Sequence, residues 1–347
     1  MAQATQEVET VILGQDEAQD LLKTAVALDL PTLLVGETGT GKTSLIRELA
    51  DRDKRTYTRF SITGETTVDD FVGKYILKDG ETVWQDGILL TAVKGGHYLV
   101  VDEINAALPE ILFVLHSLLD DDKYVIVPQK DNSLVKPTKD FRFFATMNPV
   151  DEYAGTKELN KAFMSRFAMV IEVEYPDRKT EVQIITTRTP VADNVANKMV
   201  DVAIGVRRAK QDDKLFYTFS TRDLLYWAKL VGDLGIHRAF RVAIKNKGAV
   251  DGPVIEEIYT KVFRDYKKAE DEGRPMNIEW FDQEYKKLET IKRDVRAEVK
   301  REEVAKLKKD YERLDKMALE IDKEKKVLKE MEARIKADIK GNIKDLL

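Results

Sequence analysis

The sequence predicts an α/β protein: a parallel five-stranded sheet between helices, then a small α-helical lid domain, then a C-terminal long helix or coiled coil. Three observations carry this expectation. Five short apolar runs, at 33–35, 58–62, 98–101, 143–146 and 169–173, are mostly separated by helical stretches. That is the pattern of buried parallel strands covered on both faces. From about residue 176 the pattern becomes mostly helical, and from Trp280 onward glycine and proline vanish except at Gly341 while more than half of the residues are charged.

The elements follow in order. Residues 1–13 are a polar lead-in without the basic and apolar regions of a secretory signal. Residues 15–28 place Ala18, Leu21, Leu22, Ala25 and Leu28 at helical spacing, and Pro31 closes that helix. The strand at 33–35 runs into a glycine-rich loop, and a helix resumes at 44–49. Asp79-Gly80, between 74–78 and 82–84, is a two-residue hairpin signal. Helices are expected at about 193–210, 221–234, 236–246 and 253–268, and a break rich in turn formers follows at 271–276. In the tail Val304, Leu307, Tyr311, Leu314, Ala318, Ile321, Leu328, Ile335 and Ile339 form a heptad seam interrupted by Lys325 and Glu332. Either a partner-docking coiled coil or a single solvated helix fits it. The domain expectation is therefore 1–13 lead-in, 14–178 α/β core with a hairpin at 71–87, 179–268 helical lid, 269–279 linker and 280–347 charged tail.

Bulk properties exclude several classes. The 347 residues are 43% apolar and 34% charged, so a core can form while one region carries excess charge. Lys+Arg at 57 against Asp+Glu at 62 gives a net charge of −5, which argues against a dedicated nucleic-acid coat. The absence of cysteine excludes disulfides and thiolate metal sites and fits a reducing compartment. No apolar run has the length of a membrane span. A cytoplasmic protein is expected.

Gly36-Glu37-Thr38-Gly39-Thr40-Gly41-Lys42-Thr43 matches the phosphate-loop pattern, between a strand and a helix beginning near Ser44. Glycines let successive backbone N–H groups surround a phosphate, and the helix N-terminus adds its positive end. Lys42 is placed to neutralise the outer phosphates, and the Thr43 hydroxyl to hold magnesium. A second apolar run ends in Asp102 and Glu103. Asp102 can hold magnesium, directly or through water, and Glu103 can act as general base on the attacking water. A third run ends at Asn148, which can orient that water or can be an ordinary turn residue before Pro149. Arg166, before the last core strand, fits an arginine supplied to a neighbour's site or a surface ion pair. Arg222, in the first turn of a helix capped by Ser220 or Thr221, can reach the terminal phosphate.

In this order and spacing the five elements resemble the AAA+ ATPases over about residues 10–265. The segment Asp69 to Tyr75 with Asp79 to Gly87 resembles the helix-2 hairpin insert of the MoxR, CbbQ/NorQ and dynein/midasin-related group. So do Val101 to Asn105, Ala145 to Pro149 and Ser220 to Leu224. Ala106 and Lys161 depart from MoxR, and the run from Tyr153 to Asn160 looks closer to CbbQ and midasin. The resemblance implies that Gly36, Glu37, Thr38, Gly39, Thr40, Gly41, Lys42, Thr43, Ser44 and Asp102 bind ATP and Mg2+, with Thr43 and Asp102 on the metal. It makes Glu103 and Asn148 catalytic, Arg166 the arginine finger and Arg222 the second sensor. It also implies a homo-oligomeric ring, usually a hexamer, that remodels or activates a protein partner, often one with a von Willebrand A domain. Tyr75 and Trp84 on the hairpin are candidate grips or a packed cross-strand pair. Two other functions stay open: a nucleotide-gated scaffold docking through the tail, and a GTP-driven, DNA-linked motor resembling McrB. The last draws on Arg207, Arg208, Lys210, Arg238, Arg241, Lys245 and Lys247, which fit solvated faces or subunit contacts better.

Overall fold

A computed structural model of the chain describes residues 13–130, 132–149 and 159–264, with 290, 293, 294, 298 and 301 besides. The chain divides into two units, 1–278 and 279–347. Of the second, only the five isolated positions are described, and all five are helical. The expected heptad seam, the 269–279 linker and the stretch 153–158 lie outside the described residues.

Five strands form one parallel sheet in the order β2-β5-β8-β1-β9. They are β1 (Thr32–Val35), β2 (Tyr57–Ser61), β5 (Tyr98–Asp102), β8 (Arg142–Met147) and β9 (Met169–Glu172). Side chains alternate across the sheet. Leu33, Leu99, Val101, Phe143 and Ala145 enter one apolar layer with Phe71, Leu90, Ile111 and Leu115. Leu34, Val100, Phe144 and Ile171 enter the opposite layer with Leu22, Leu45, Ile46 and Leu49. Because both faces are covered, the central strands read as continuous apolar runs.

Helices α1 (Asp16–Ala27) and α2 (Lys42–Arg52) supply the second layer. Of the apolar positions expected on α1, Ala18, Leu22 and Ala25 are buried, whereas Leu28 follows the helix at 64% exposed. Short α3 (Val68–Phe71) and α4 (Ile88–Gly95) flank the hairpin of β3 (Gly73–Lys78) and β4 (Glu81–Asp86). Its turn has Asp79 and Gly80 at positive φ, as the two-residue signal requires. A second hairpin, β6 (Val125–Val127) with β7 (Ser133–Val135), follows α5 (Pro109–Leu119). The apolar-run reading missed it because each strand has only three residues.

After α6 (Lys161–Met164) and β9 the chain is helical: α7 (Arg178–Arg188), α8 (Asp193–Gln211), α9 (Thr221–Phe240) and α10 (Gly252–Val262). Gly235 kinks α9 with φ +71, where the sequence predicts a break between two helices, and Arg241–Lys245 continues as a π turn. Helix α7 was not expected from periodicity. Its inward face is built around Glu181, which is fully buried, so apolar spacing does not reveal it. Among the described residues no helix is long and apolar enough to cross a membrane.

Candidate active site

The C-terminal ends of β1, β5 and β8 converge, and the sequence motifs lie on the turns that leave them. The loop after β1 is tightly enclosed. A Cβ on Gly36 would lie 2.2 Å from the Val173 carbonyl oxygen. A Cβ on Gly39, at φ +80, would lie 2.5 Å from Ser220 Cβ. Gly41, at φ +99, precedes α2 as its cap, with open space beside it. Only glycine takes this path without strain, and the path leaves backbone amides free to surround an anion at the α2 N-terminus. Gly39→Ala is expected to cost about 1–3 kcal/mol of stability, checked by urea denaturation, because it combines positive φ with the Ser220 clash.

Lys42 is 8% exposed. Its ammonium donates to the Gly36 carbonyl at 2.6 Å, the Glu37 carbonyl at 2.9 Å and Asn148 Oδ1 at 3.0 Å. Burial, only partly offset by Asp102, pushes its pKa down to about 8. Asp102, 3% exposed, accepts from the Thr43 hydroxyl at 3.1 Å, from the Thr146 hydroxyl at 2.7 Å and from Arg59 Nε. Thr43 and Asp102 thus put two hard oxygen donors side by side, a donor set that fits magnesium. Glu103 leaves the strand in the left-handed region, at φ +58, and its side chain is exposed rather than folded into the sheet. Asn148 follows the last residue of β8 and meets Lys42.

Arg222 sits in the first turn of α9. Ser220 caps that helix in a box with Asp223, each side chain accepting from the other residue's backbone N–H at 3.1 Å. Arg222 Cβ lies 3.6 Å from the position of a Gly39 Cβ, and its charge acts on Lys42. The structure therefore brings Lys42, Thr43, Asp102, Asn148 and Arg222 together. Arg166 stands apart from them. It pairs with Asp120 at the end of α5 at 2.9 Å and donates to the Ala162 carbonyl. Burial first, and then the Arg166 charge, hold His116 below the ordinary imidazole range.

Several residues around the site escaped sequence reading. Thr146 and Arg59 hold Asp102, but nothing in their sequence spacing marks them. The Tyr175 hydroxyl faces Glu37 Oε2 at 3.1 Å and the Thr38 carbonyl at 2.9 Å. Arg207, read from sequence as a candidate basic face, is instead paired in fork geometry with buried Glu181, both oxygens at 2.8 Å. Lys245 pairs with Glu256 and Lys247 with Asp223. On the first hairpin Tyr75 and Trp84 are direct cross-strand partners, edge to face at 5.1 Å. Trp84 also donates to Asp86, while Tyr75 is half exposed and Leu77 is 77% exposed.

Known proteins resemble both the sheet-bearing part and the helical part of the chain. Residues 31–167 match the family model for the AAA domain of the dynein-related subfamily, and 181–262 match the CbbQ/NirQ/NorQ C-terminal family. Protein NorQ of Paracoccus denitrificans is 30% identical over 67% of this chain and 85% of its own length. The aerobic cobaltochelatase subunit CobS of a Sinorhizobium species is 30% identical over 67% of this chain and 74% of its own. Midasin of Giardia intestinalis is 41% identical over 45% of this chain, and the match spans 3% of that much longer protein.

Proposed function

The chain belongs to the AAA+ ATPases, in the CbbQ/NorQ group, and from that premise we propose a ring ATPase, with six subunits, that uses Mg-ATP hydrolysis at subunit interfaces to remodel or activate a partner protein. One observation supports this most: five of the motif side chains converge on one loop, while Arg166 is held elsewhere by Asp120. A site with everything but its finger needs a neighbour.

Residue roles follow from position. Backbone amides of the loop and of the α2 N-terminus bind the phosphates, and Lys42 exchanges its carbonyl partners for phosphate oxygens. Bound at Thr43 and Asp102, magnesium would supply positive charge against the triphosphate. Glu103 takes the proton of the attacking water, and Asn148 holds that water in line. Arg222 from the lid and Arg166 from the next subunit offset the charge that develops on transfer. The half-exposed Tyr75 and exposed Leu77 at the first hairpin support protein contact there. Partner remodelling is tested by capturing the partner on an ATP-loaded ring: loss of capture on Leu77→Asp, with ATPase intact, is the expected result, and unchanged capture would contradict the hairpin's role.

The lowered Lys42 pKa sets a pH dependence. Below about 8 the lysine is already charged, and nucleotide affinity should be flat. Triphosphate favours the ammonium, so above that value binding must also take up a proton. Affinity is expected to fall by up to about tenfold per pH unit as pH rises beyond it. Fluorescent-nucleotide titration between pH 7 and about 9.5 checks this, and Lys42→Arg should flatten the profile.

A further inference from the structure

Glu37 stands in the phosphate loop, where a carboxylate repels the ligand the loop is built to hold. Its side chain is engaged by Tyr175 and by α8, while its charge also acts on Lys42. One oxygen meets the Tyr175 hydroxyl at 3.1 Å, and the other faces the Lys210 ammonium of α8 at 3.7 Å. The same hydroxyl is 2.9 Å from the Thr38 carbonyl, so its proton is shared between two acceptors on the loop.

The connection continues past Tyr175. The Arg207 guanidinium lies 3.8 Å over the Tyr175 ring. Arg207 forks onto Glu181 and donates through Nε to the Phe219 carbonyl at 2.7 Å. Thr221 donates to Glu181 at 2.6 Å, and Lys210 donates to Thr218 at 2.6 Å. Residues 218–221 lead directly into Arg222. Glu181 is fully buried, and every link is a hydrogen bond, an ion pair or a stacked contact, so the path has little slack.

We propose that Glu37, Tyr175 and Lys210 form a strap through which the phosphate loop sets the position of the lid and of Arg222. The claim rests on the nucleotide-binding role of the loop. Its trigger is visible in the loop itself. Lys42 holds the Glu37 carbonyl at 2.9 Å, and a triphosphate competes for that ammonium. Once Lys42 turns to phosphate, the Glu37 carbonyl keeps only the Thr40 hydroxyl and N–H as donors, and the Glu37 side chain carries the resulting shift to Tyr175 and Lys210. Tyr175 and Lys210 are positioning residues on this account.

Hydrogen exchange on the full chain, with and without magnesium and a non-hydrolysable ATP analogue, tests the strap. In the wild type the analogue should slow exchange in α8 and the first half of α9. Tyr175→Phe keeps the ring under Arg207 and removes the hydroxyl that meets Glu37 and Thr38. Combined with Lys210→Met, it should shrink the nucleotide-dependent protection at least threefold. Arg178→Ala, which breaks the α7–α8 link to Asp201 and Asn197 without touching the loop, should leave that nucleotide-dependent difference in place. A purely structural role would lower protection equally with and without nucleotide. That result, or full transmission in the double variant, or wild-type binding without lid protection, would overturn the strap. A fluorescence titration run in parallel separates these results from a wild type that binds no nucleotide, which would sink the nucleotide reading and the strap with it.

Discussion

Glu103→Gln is expected to reduce ATP turnover by at least about 10²–10⁴-fold while leaving nucleotide binding within a few-fold of wild type. The geometry gives the reason. Asp102 is buried and accepts from Thr43, Thr146 and Arg59, so it is placed as a holder. Glu103 comes next in sequence, yet its left-handed backbone leaves its carboxylate exposed and free to accept a proton from water. An amide cannot take that proton but keeps the size and polarity of the acid. Trapped ATP and an assembled ring should therefore accumulate. Phosphate release and nucleotide titration check both halves, and undiminished release would remove Glu103 from the mechanism.

Arg166→Ala should lower turnover by about 10³–10⁵-fold, the range for a finger that offsets charge on the transferred phosphoryl group. This residue is engaged by Asp120 and by the Ala162 carbonyl, apart from its own loop. If it serves a neighbour, two dead variants should complement each other. In a ring mixed from equal amounts of Glu103→Gln and Arg166→Ala subunits, about a quarter of the interfaces pair an intact Glu103 with an intact Arg166, because the contact is head to tail. Activity returning to roughly that fraction supports the shared site. A mixture as inactive as its components would place Arg166 outside the chemistry.

Much of the fold is legible in the sequence for one physical reason. Strands buried on both faces must be apolar throughout, so Leu33 and Leu34, or Leu99, Val100 and Val101, stand out without an alternating pattern. The loop is legible because Gly36, Gly39 and Gly41 answer to backbone geometry rather than packing. What hides is polar and long-range. Helix α7 turns Glu181 inward, and Arg207 and Thr221, both distant in sequence, make that burial tolerable. Arg59 reaches Asp102 from a neighbouring strand, and Tyr175, just past β9, reaches Thr38 in the loop after the adjacent β1. Such pairs carry no sequence period, so the surroundings of the site appear only once the chain is folded. Two basic residues of α8 are misread from sequence for the same reason: Arg207 and Lys210 look solvated until their partners Glu181 and Glu37 are seen, whereas Arg208 is exposed.

The central claim is that each site is completed between subunits. ATPase rate per subunit, measured across a dilution series with the assembly mass followed in parallel, tests it most directly. The expected result is a rate that collapses together with the mass as rings fall to monomers, and that returns on reconcentration. A rate per subunit that stays constant down to monomers would contradict it.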